Sequence, residues 1–143
     1  MSTSRLLQWS AAFLMFMGSA AAAADAIGHF FGKGPMAPIM FRAPLAISSF
    51  EAHLLAVLLG GVLLGGAKEV HRQRFHGLAA AIHIVLGGSN LLFFERAFGS
   101  LDIRGFGVVI TACHFAFVIA QTAAALSQNR PSTAANVADA PRP

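Results

Sequence analysis

The sequence predicts an all-α integral membrane protein, a small transmembrane helical bundle of three certain helices plus an N-terminal signal peptide or fourth helix. Two observations predict this fold class. Of the 143 residues, 56% are hydrophobic and 11% are charged, whereas a soluble domain is roughly 25% charged. The apolar residues also fall in four blocks, at 6–24, 45–67, 77–94 and 106–126. Because about 20 apolar residues cross a bilayer core, these blocks leave no room for a separate soluble domain.

Residues 1–24, which contain the first block, are predicted to be either a signal peptide or the first transmembrane helix. Arg5, the apolar run 6–18 and the small residues 19–24 are typical of a signal peptide with a cleavage site after Ala24. Residues 6–24 would also form a helix just long enough to span the bilayer. The sequence slightly favours cleavage. Both alternatives place Asp25 outside the cytoplasm.

The segments on either side of the main bundle, which we assign to residues 45–126, are predicted to lie outside it. Residues 25–44 contain several Gly and Pro residues among aromatic and apolar ones, which predicts an external interfacial segment without one continuous helix. Residues 127–143 are rich in Ala, Ser, Asn and Pro and predict a disordered cytoplasmic tail.

The distribution of basic residues predicts the orientation of the bundle. The loop at 68–75 carries Lys68, Arg72 and Arg74 against one acidic residue, so we expect it to be cytoplasmic together with the C-terminus, and residues 97–105 to be external. The predicted location is a bacterial-type inner (plasma) membrane, crossed several times. The pI near 10.7 then reflects topology and attraction to anionic lipid, and it does not indicate nucleic-acid binding.

Each of the later blocks has a stripe of small and polar residues, called its seam here, which predicts the helix contacts. The seams comprise Ser49, His53, Ala56, Gly60 and Ala67 in the second block, His76, Ala80, His83, Gly87 and Asn90 in the third, and Thr111, His114, Val118, Gln121 and Ala125 in the fourth. The residues predicted to set helix packing are Gly60, Gly61, Gly65, Gly87, Asn90 and Gln121. The residues predicted to face lipid are Leu58, Leu63, Leu91, Phe93, Val109 and Phe117.

Four ionisable residues lie within the blocks, namely Glu51, His53, His83 and His114, and such residues are functional candidates by default. Counting from the outer block ends places His53 and His114 at a similar depth of roughly 10 to 12 Å, with His83 several ångströms deeper. His53 and His114 are therefore candidate ligands of a haem b or a metal, and His83 should be separable from them. The structural alternative is that the histidines only form interhelical hydrogen bonds.

Two further hypotheses concern groups near the outer surface. Glu51 is expected to reach the outer interface and meet Arg42 or Arg104, or to mark the mouth of a cation path. The candidate metal ligands are His83, His29, Met36 and Met40, of which the last three suit soft copper binding or form an interfacial apolar face.

The sequence favours a small structural or accessory subunit of a larger membrane complex. The alternative is a b-type haem or metal-binding electron carrier that uses His53 and His114, and the third hypothesis is a small ion or metal transporter. We find no pair of nucleophile and base, no phosphate loop and no paired carboxylates, so we expect no enzyme. Expected partners are the lipid bilayer and further copies of the chain or a larger membrane complex, and no nucleic acid.

Overall fold

The computed structural model describes residues 2–43 and 46–127 and is all-α. Its elements are α1 (Thr3–Phe31), α2 (Ala37–Met40), α3 (Ala46–Gly66), α4 (Gln73–Leu92), a π-helical turn (Glu95–Gly99) and α5 (Arg104–Ser127). Helices α1, α3, α4 and α5 are each long and apolar enough to cross a membrane. This confirms the predicted all-α membrane bundle. The part of the predicted tail that follows Ser127 lies outside the described residues.

Helix α1 extends further than the sequence indicated. It begins after Ser2, whose side chain accepts a hydrogen bond from the Arg5 amide, and it ends at Gly32, which has a left-handed φ of 61°. A left-handed residue of this kind, usually glycine, commonly ends a helix. Residues 25–31 of the predicted interfacial segment are therefore helical, because proline first occurs at Pro35. The 29 residues of α1 span about 43 Å, more than a bilayer core of about 30 Å.

The bundle consists of two antiparallel helix pairs. The most extensive contacts join α1 to α3 and α4 to α5, and α1 also touches α4 and α5. Leu7, Ala11 and Leu14 of α1 are fully or almost fully buried in the hydrophobic core. The other buried residues of that core are Leu63, Ala67, Ala79 and Ile82. Residues of the first apolar block thus lie at the centre of the folded bundle.

Small residues repeat every seven positions where α1 meets α3. On α1, Ala11 and Gly18 precede Asp25 at this spacing. On α3, Gly60 follows His53, and Ala67 follows directly after the end of the helix. A Cβ at Gly18 would lie 2.7 Å from the carbonyl oxygen of His53. The absence of side chains there allows the two backbones to approach closely.

The predicted packing residues agree with the structure on α4 and α5, and two of those on α3 need correction. Gly87 and Gln121 are buried, Asn90 is half-buried, and Gly60 packs against α1. Gly61 and Gly65 face away from the bundle, since a Cβ at either would meet nothing within 4 Å. Their prediction as packing residues within this chain is wrong, because α3 contacts α1 through the neighbouring face.

The contact face of α3 also explains why one residue that was predicted to face lipid lies in the core. Leu63 is fully buried, because it lies one turn beyond Gly60 on the face that contacts α1. Phe117 is half-buried against the histidines. The other predicted lipid-facing residues are exposed on the bundle surface, namely Leu58, Leu91, Phe93 and Val109.

Candidate functional site

Buried polar side chains occur at three levels along the otherwise apolar bundle. We call the end that carries α2 and the π-helical turn the apical end, and the other end the basal end. The apical layer is Asp25 with His53, the central layer is Ser10 with His83 and His114, and the basal layer is His76 with Gln121. Ionisable groups inside a membrane bundle are costly unless they are paired, so each layer is a candidate site.

The central layer joins three helices through a short chain of hydrogen bonds. Ser10 Oγ lies 2.7 Å from His83 Nε2, and His83 Nδ1 lies 2.9 Å from His114 Nδ1. Ser10 and His83 are fully buried, and His114 nearly so. Because both ring nitrogens at the second contact are Nδ1, one of them must carry the shared proton while the other accepts it.

Aromatic rings enclose the central layer. Phe117 stacks on His83 with 4.7 Å between ring centroids and an interplanar angle of 11°. Phe13 meets His114 edge-on at 5.4 Å. On the apical side of His83, a Cβ at Gly87 would lie 3.1 Å from the His114 Cβ, so glycine lets α5 approach α4 there. The two imidazoles are therefore held at fixed positions in an apolar enclosure.

The basal layer is a second buried imidazole contact. His76 Nδ1 lies 2.5 Å from Gln121 Oε1, and Gln121 Nε2 donates to the Leu6 carbonyl at 3.3 Å. Because the amide oxygen only accepts, His76 carries its proton on Nδ1 in this arrangement. Its Nε2 is buried without a partner among the described residues. The layer links α4, α5 and α1 close to the basal end.

The apical layer pairs a buried carboxylate with a half-buried imidazole. His53 Nδ1 lies 2.8 Å from Asp25 Oδ2, and the exposed side-chain fractions are 33% for His53 and 1% for Asp25. His53 Nδ1 donates to the carboxylate, since an ionised carboxylate only accepts. Asp25 Oδ1 is buried and has no partner among the described residues.

Two concave spaces adjoin the apical layer. A cavity of about 170 Å³ lies between the two helix pairs, and its polar lining comes from His53, Asn90 and His114. A second, larger cleft of about 310 Å³ lies between the end of α1 and the start of α3, beside Asp25 and His29. The cavity therefore lies between His53 of the apical layer and His114 of the central layer.

The structure brings His53 and His114 to one cavity but gives them different hydrogen-bond partners. His114 contacts His83, so the expectation that His83 is separable from His114 is wrong. The reason lies in the helix ends. His83 lies nine residues before the end of α4 and His114 ten residues after the start of α5, which places both about 14 to 15 Å from the apical ends.

The predicted outer metal ligands are only partly brought together. His29 Nδ1 donates to the Met40 carbonyl oxygen at 3.1 Å, so the contact involves the backbone of Met40. Met36 lies at the turn before α2. Within residues 2–43 and 46–127, no three or more His, Cys, Asp or Glu side chains are grouped closely enough to hold a metal ion.

Glu51 and the charges of the apical loop have separate positions. Glu51 is exposed on α3. Arg104, one of its expected partners, instead pairs with Glu95 at 3.0 Å, and both side chains are largely exposed. An exposed pair of this kind contributes little to stability.

Sequence reasoning missed two residues of the layers, Ser10 and Asp25. Ser10 is a small polar residue in an apolar run, and it gave no reason to expect a buried contact because this run could be a signal peptide. Asp25 was taken as the first residue after such a peptide. A signal was nevertheless present, because Asp25 follows Ala11 and Gly18 at seven-residue steps and so shares their helical face.

Together these features define the class of protein, a multi-pass membrane bundle with three buried polar layers. No protein-family model, curated protein or solved structure matches the chain. Its function is therefore argued from the layers themselves.

Proposed function

We propose that the chain is a structural membrane protein without catalytic activity, acting as an accessory subunit of a larger membrane complex. The observation that supports this most directly is that each intramembrane histidine contacts a polar side chain on another helix. His53 joins α3 to α1, His76 joins α4 to α5, and His83 joins α4 to both α1 and α5. These contacts connect all four long helices.

Such contacts are suited to holding a bundle together in lipid. Apolar side chains are as well solvated by lipid as by each other, so close packing and interhelical hydrogen bonds determine how helices associate. Fixed imidazole pairs on different helices would specify the register of each helix pair. The proposal therefore assigns the histidines a structural role.

The outer surface of the bundle supports the accessory role. Helix α3 contacts the rest of the described chain mainly through α1, and Leu54, Leu55, Leu58 and Val62 are exposed along it. Most of this helix is therefore left for lipid, a second copy or another membrane protein. We further propose that residues 1–24 are retained, because Leu7 and Leu14 belong to the core.

A double-mutant cycle tests the structural role of the histidines. His83→Leu and His114→Leu should each destabilise the full chain in detergent. The double variant should lose less than the sum by about 0.6 to 1.7 kcal/mol, the range of coupling expected inside a membrane bundle. The losses of stability caused by His53→Leu and His83→Leu should add, because the two histidines belong to different layers. Additive losses for His83 and His114 would contradict the structural pairing.

The size of the native assembly tests the accessory role separately. After mild solubilisation of the native membrane, the chain should migrate in native electrophoresis as a larger assembly than the purified chain does. Identical migration of the two samples would contradict an accessory role and leave a self-contained protein.

A b-type haem or metal-binding electron carrier is the second candidate, and it is favoured by the cavity that His53 and His114 both line. Its volume of about 170 Å³ is below the roughly 300 Å³ at which ligand pockets usually begin. The visible spectrum of the purified chain distinguishes the candidates, because a haem ligated by two histidines would give a Soret band.

A further inference from the structure

We propose that the apical half of the bundle is a proton path, which leads from the apical surface through His53 and the cavity to the His83 and His114 pair. The ligand of this site is a proton carried by water. This activity goes beyond the structural role proposed above, since histidine pairs could hold helices together without exchanging protons. Three observations carry the inference: the half-exposed His53, the cavity, and the hydrogen-bond chain of the central layer.

The cavity has the size to hold connected water, and three of its lining residues are polar. At about 170 Å³ it has room for about five molecules, each with a share of about 30 Å³. Buried water also needs polar partners. His53 and Asn90 supply them on the apical side and His114 on the other. Water in this cavity would connect the two histidine layers by hydrogen bonds.

The first step is proton entry at His53. Its Nδ1 is held by Asp25, so Nε2 is the ring nitrogen available to accept a proton from the apical side. The imidazolium formed in this way keeps its Nδ1 proton on the carboxylate hydrogen bond. It then releases the Nε2 proton to cavity water and returns to the neutral form. Asp25 keeps its hydrogen bond to Nδ1 in both forms of the ring.

The second step transfers the proton through the central layer. His114 accepts a proton from cavity water at Nε2, while its Nδ1 proton is donated to His83 Nδ1. That Nδ1 proton then moves to His83, which becomes the imidazolium, and His114 is left neutral with its proton on Nε2. His83 Nε2 donates to Ser10 Oγ in this state. One proton enters and one positive charge moves from His114 to His83.

The groups that face this path come from every neighbouring helix, and the titratable ones are few. His53 on α3 and His114 on α5 line the cavity, Asp25 on α1 contacts His53, and His83 on α4 contacts His114. The π-helical turn and the start of α5 contribute the rings of Phe98 and Phe106. Because neither ring carries a charge, we assign the proton to the histidines alone.

The path ends at the central layer. His76 lies seven residues before His83 on α4, a separation of about 10 Å. Ala79, Ala80 and Ile82 are buried between or beside them. A proton cannot cross this apolar distance without water or a conformational change, so the described state takes up protons from the apical side only.

The test uses the full chain in lipid nanodiscs with ¹⁵N-labelled histidine. Between pH 8 and pH 3, the imidazole signals of His83 and His114 should change together and approach one added proton, as expected for a coupled pair. In the wild type the His114 ring proton should exchange with solvent. Ala56→Leu, which fills the cavity from α3, should slow this exchange at least tenfold.

Ala52→Leu is the matched control, because Ala52 is exposed one turn away on the same helix; it should exchange as the wild type does. If Ala56→Leu does not fold, Asn90→Leu removes a polar lining group at similar volume and should also slow exchange. Unchanged His83 and His114 signals over the whole pH range would overturn the proposal. Wild-type exchange rates in a folded Ala56→Leu or Asn90→Leu chain would overturn it as well.

Discussion

Two adjacent glycines of α3 should respond oppositely to the same substitution. A Cβ at Gly60 would lie 2.6 Å from Met15 Cγ and 2.9 Å from the Ala11 carbonyl oxygen, whereas a Cβ at Gly61 would meet nothing within 4 Å. The Met15 side chain can move aside. The Ala11 carbonyl belongs to the backbone of α1, so Gly60→Ala must push the two helices apart.

The size of the effect follows from two opposing contributions. Overpacking of a close contact costs about 1 to 3 kcal/mol, and replacing glycine by alanine within a helix returns up to about 1 kcal/mol. Gly60→Ala should therefore destabilise the chain by up to about 2 kcal/mol. Gly61→Ala has only the favourable contribution and should be neutral or stabilising by up to about 1 kcal/mol.

Unfolding in mixed detergent micelles measures this difference. The single tryptophan, Trp9, is exposed on α1, so the unfolding is followed by circular dichroism, which reports helix content. Gly18→Ala should resemble Gly60→Ala, because a Cβ there would lie 2.7 Å from the His53 carbonyl oxygen. If Gly61→Ala lost as much stability as Gly60→Ala, the assigned face of α3 would be refuted.

Three further predictions concern topology, the N-terminus and the basal layer. A reporter fused after Arg74 should be active only in the cytoplasm and one fused after Ser100 only outside it; the reverse pattern would invert the bundle. The intact mass of chain purified through a C-terminal tag should include residues 1–24, and a loss of that mass would show cleavage. Gln121→Leu should lower the free energy of unfolding by about 1 to 3 kcal/mol, because it leaves the His76 Nδ1 proton unpaired. Thr122→Leu, at an exposed position, should not lower it. Equal losses for the two variants would show that the Gln121 side-chain amide has no stabilising role.

Block composition was sufficient to predict three helices closely, because a spanning helix needs a long apolar run with charges at its ends. The second, third and fourth blocks correspond to α3, α4 and α5 within a few residues. The length of the helix that contains the first block was underestimated. Its Ala-rich end is compatible with both a cleavage site and a helix, and in the structure α1 continues to Phe31.

The histidine seams were predictable in part, since His83, His114 and Gln121 all lie on the buried faces. The pairing was missed because depth was counted from the ends of the apolar blocks, and each residue of error shifts a side chain by about 1.5 Å. A better signal was in the spacing. His76 and His83 are seven residues apart on α4, as are His114 and Gln121 on α5, which fits two matched pairs on antiparallel neighbours.

These spacings also account for the position of the cavity. Within each helix pair, seven-residue repeats keep the same face in contact over several turns. Between the two pairs, the side-chain hydrogen bonds among residues 2–43 and 46–127 are those of Ser10 to His83 and of Gln121 to the Leu6 carbonyl. Both lie at or below the central layer. The pairs are therefore fastened together at the centre and the basal end, and the cavity lies above the last of these bonds, where the pairs are free to separate.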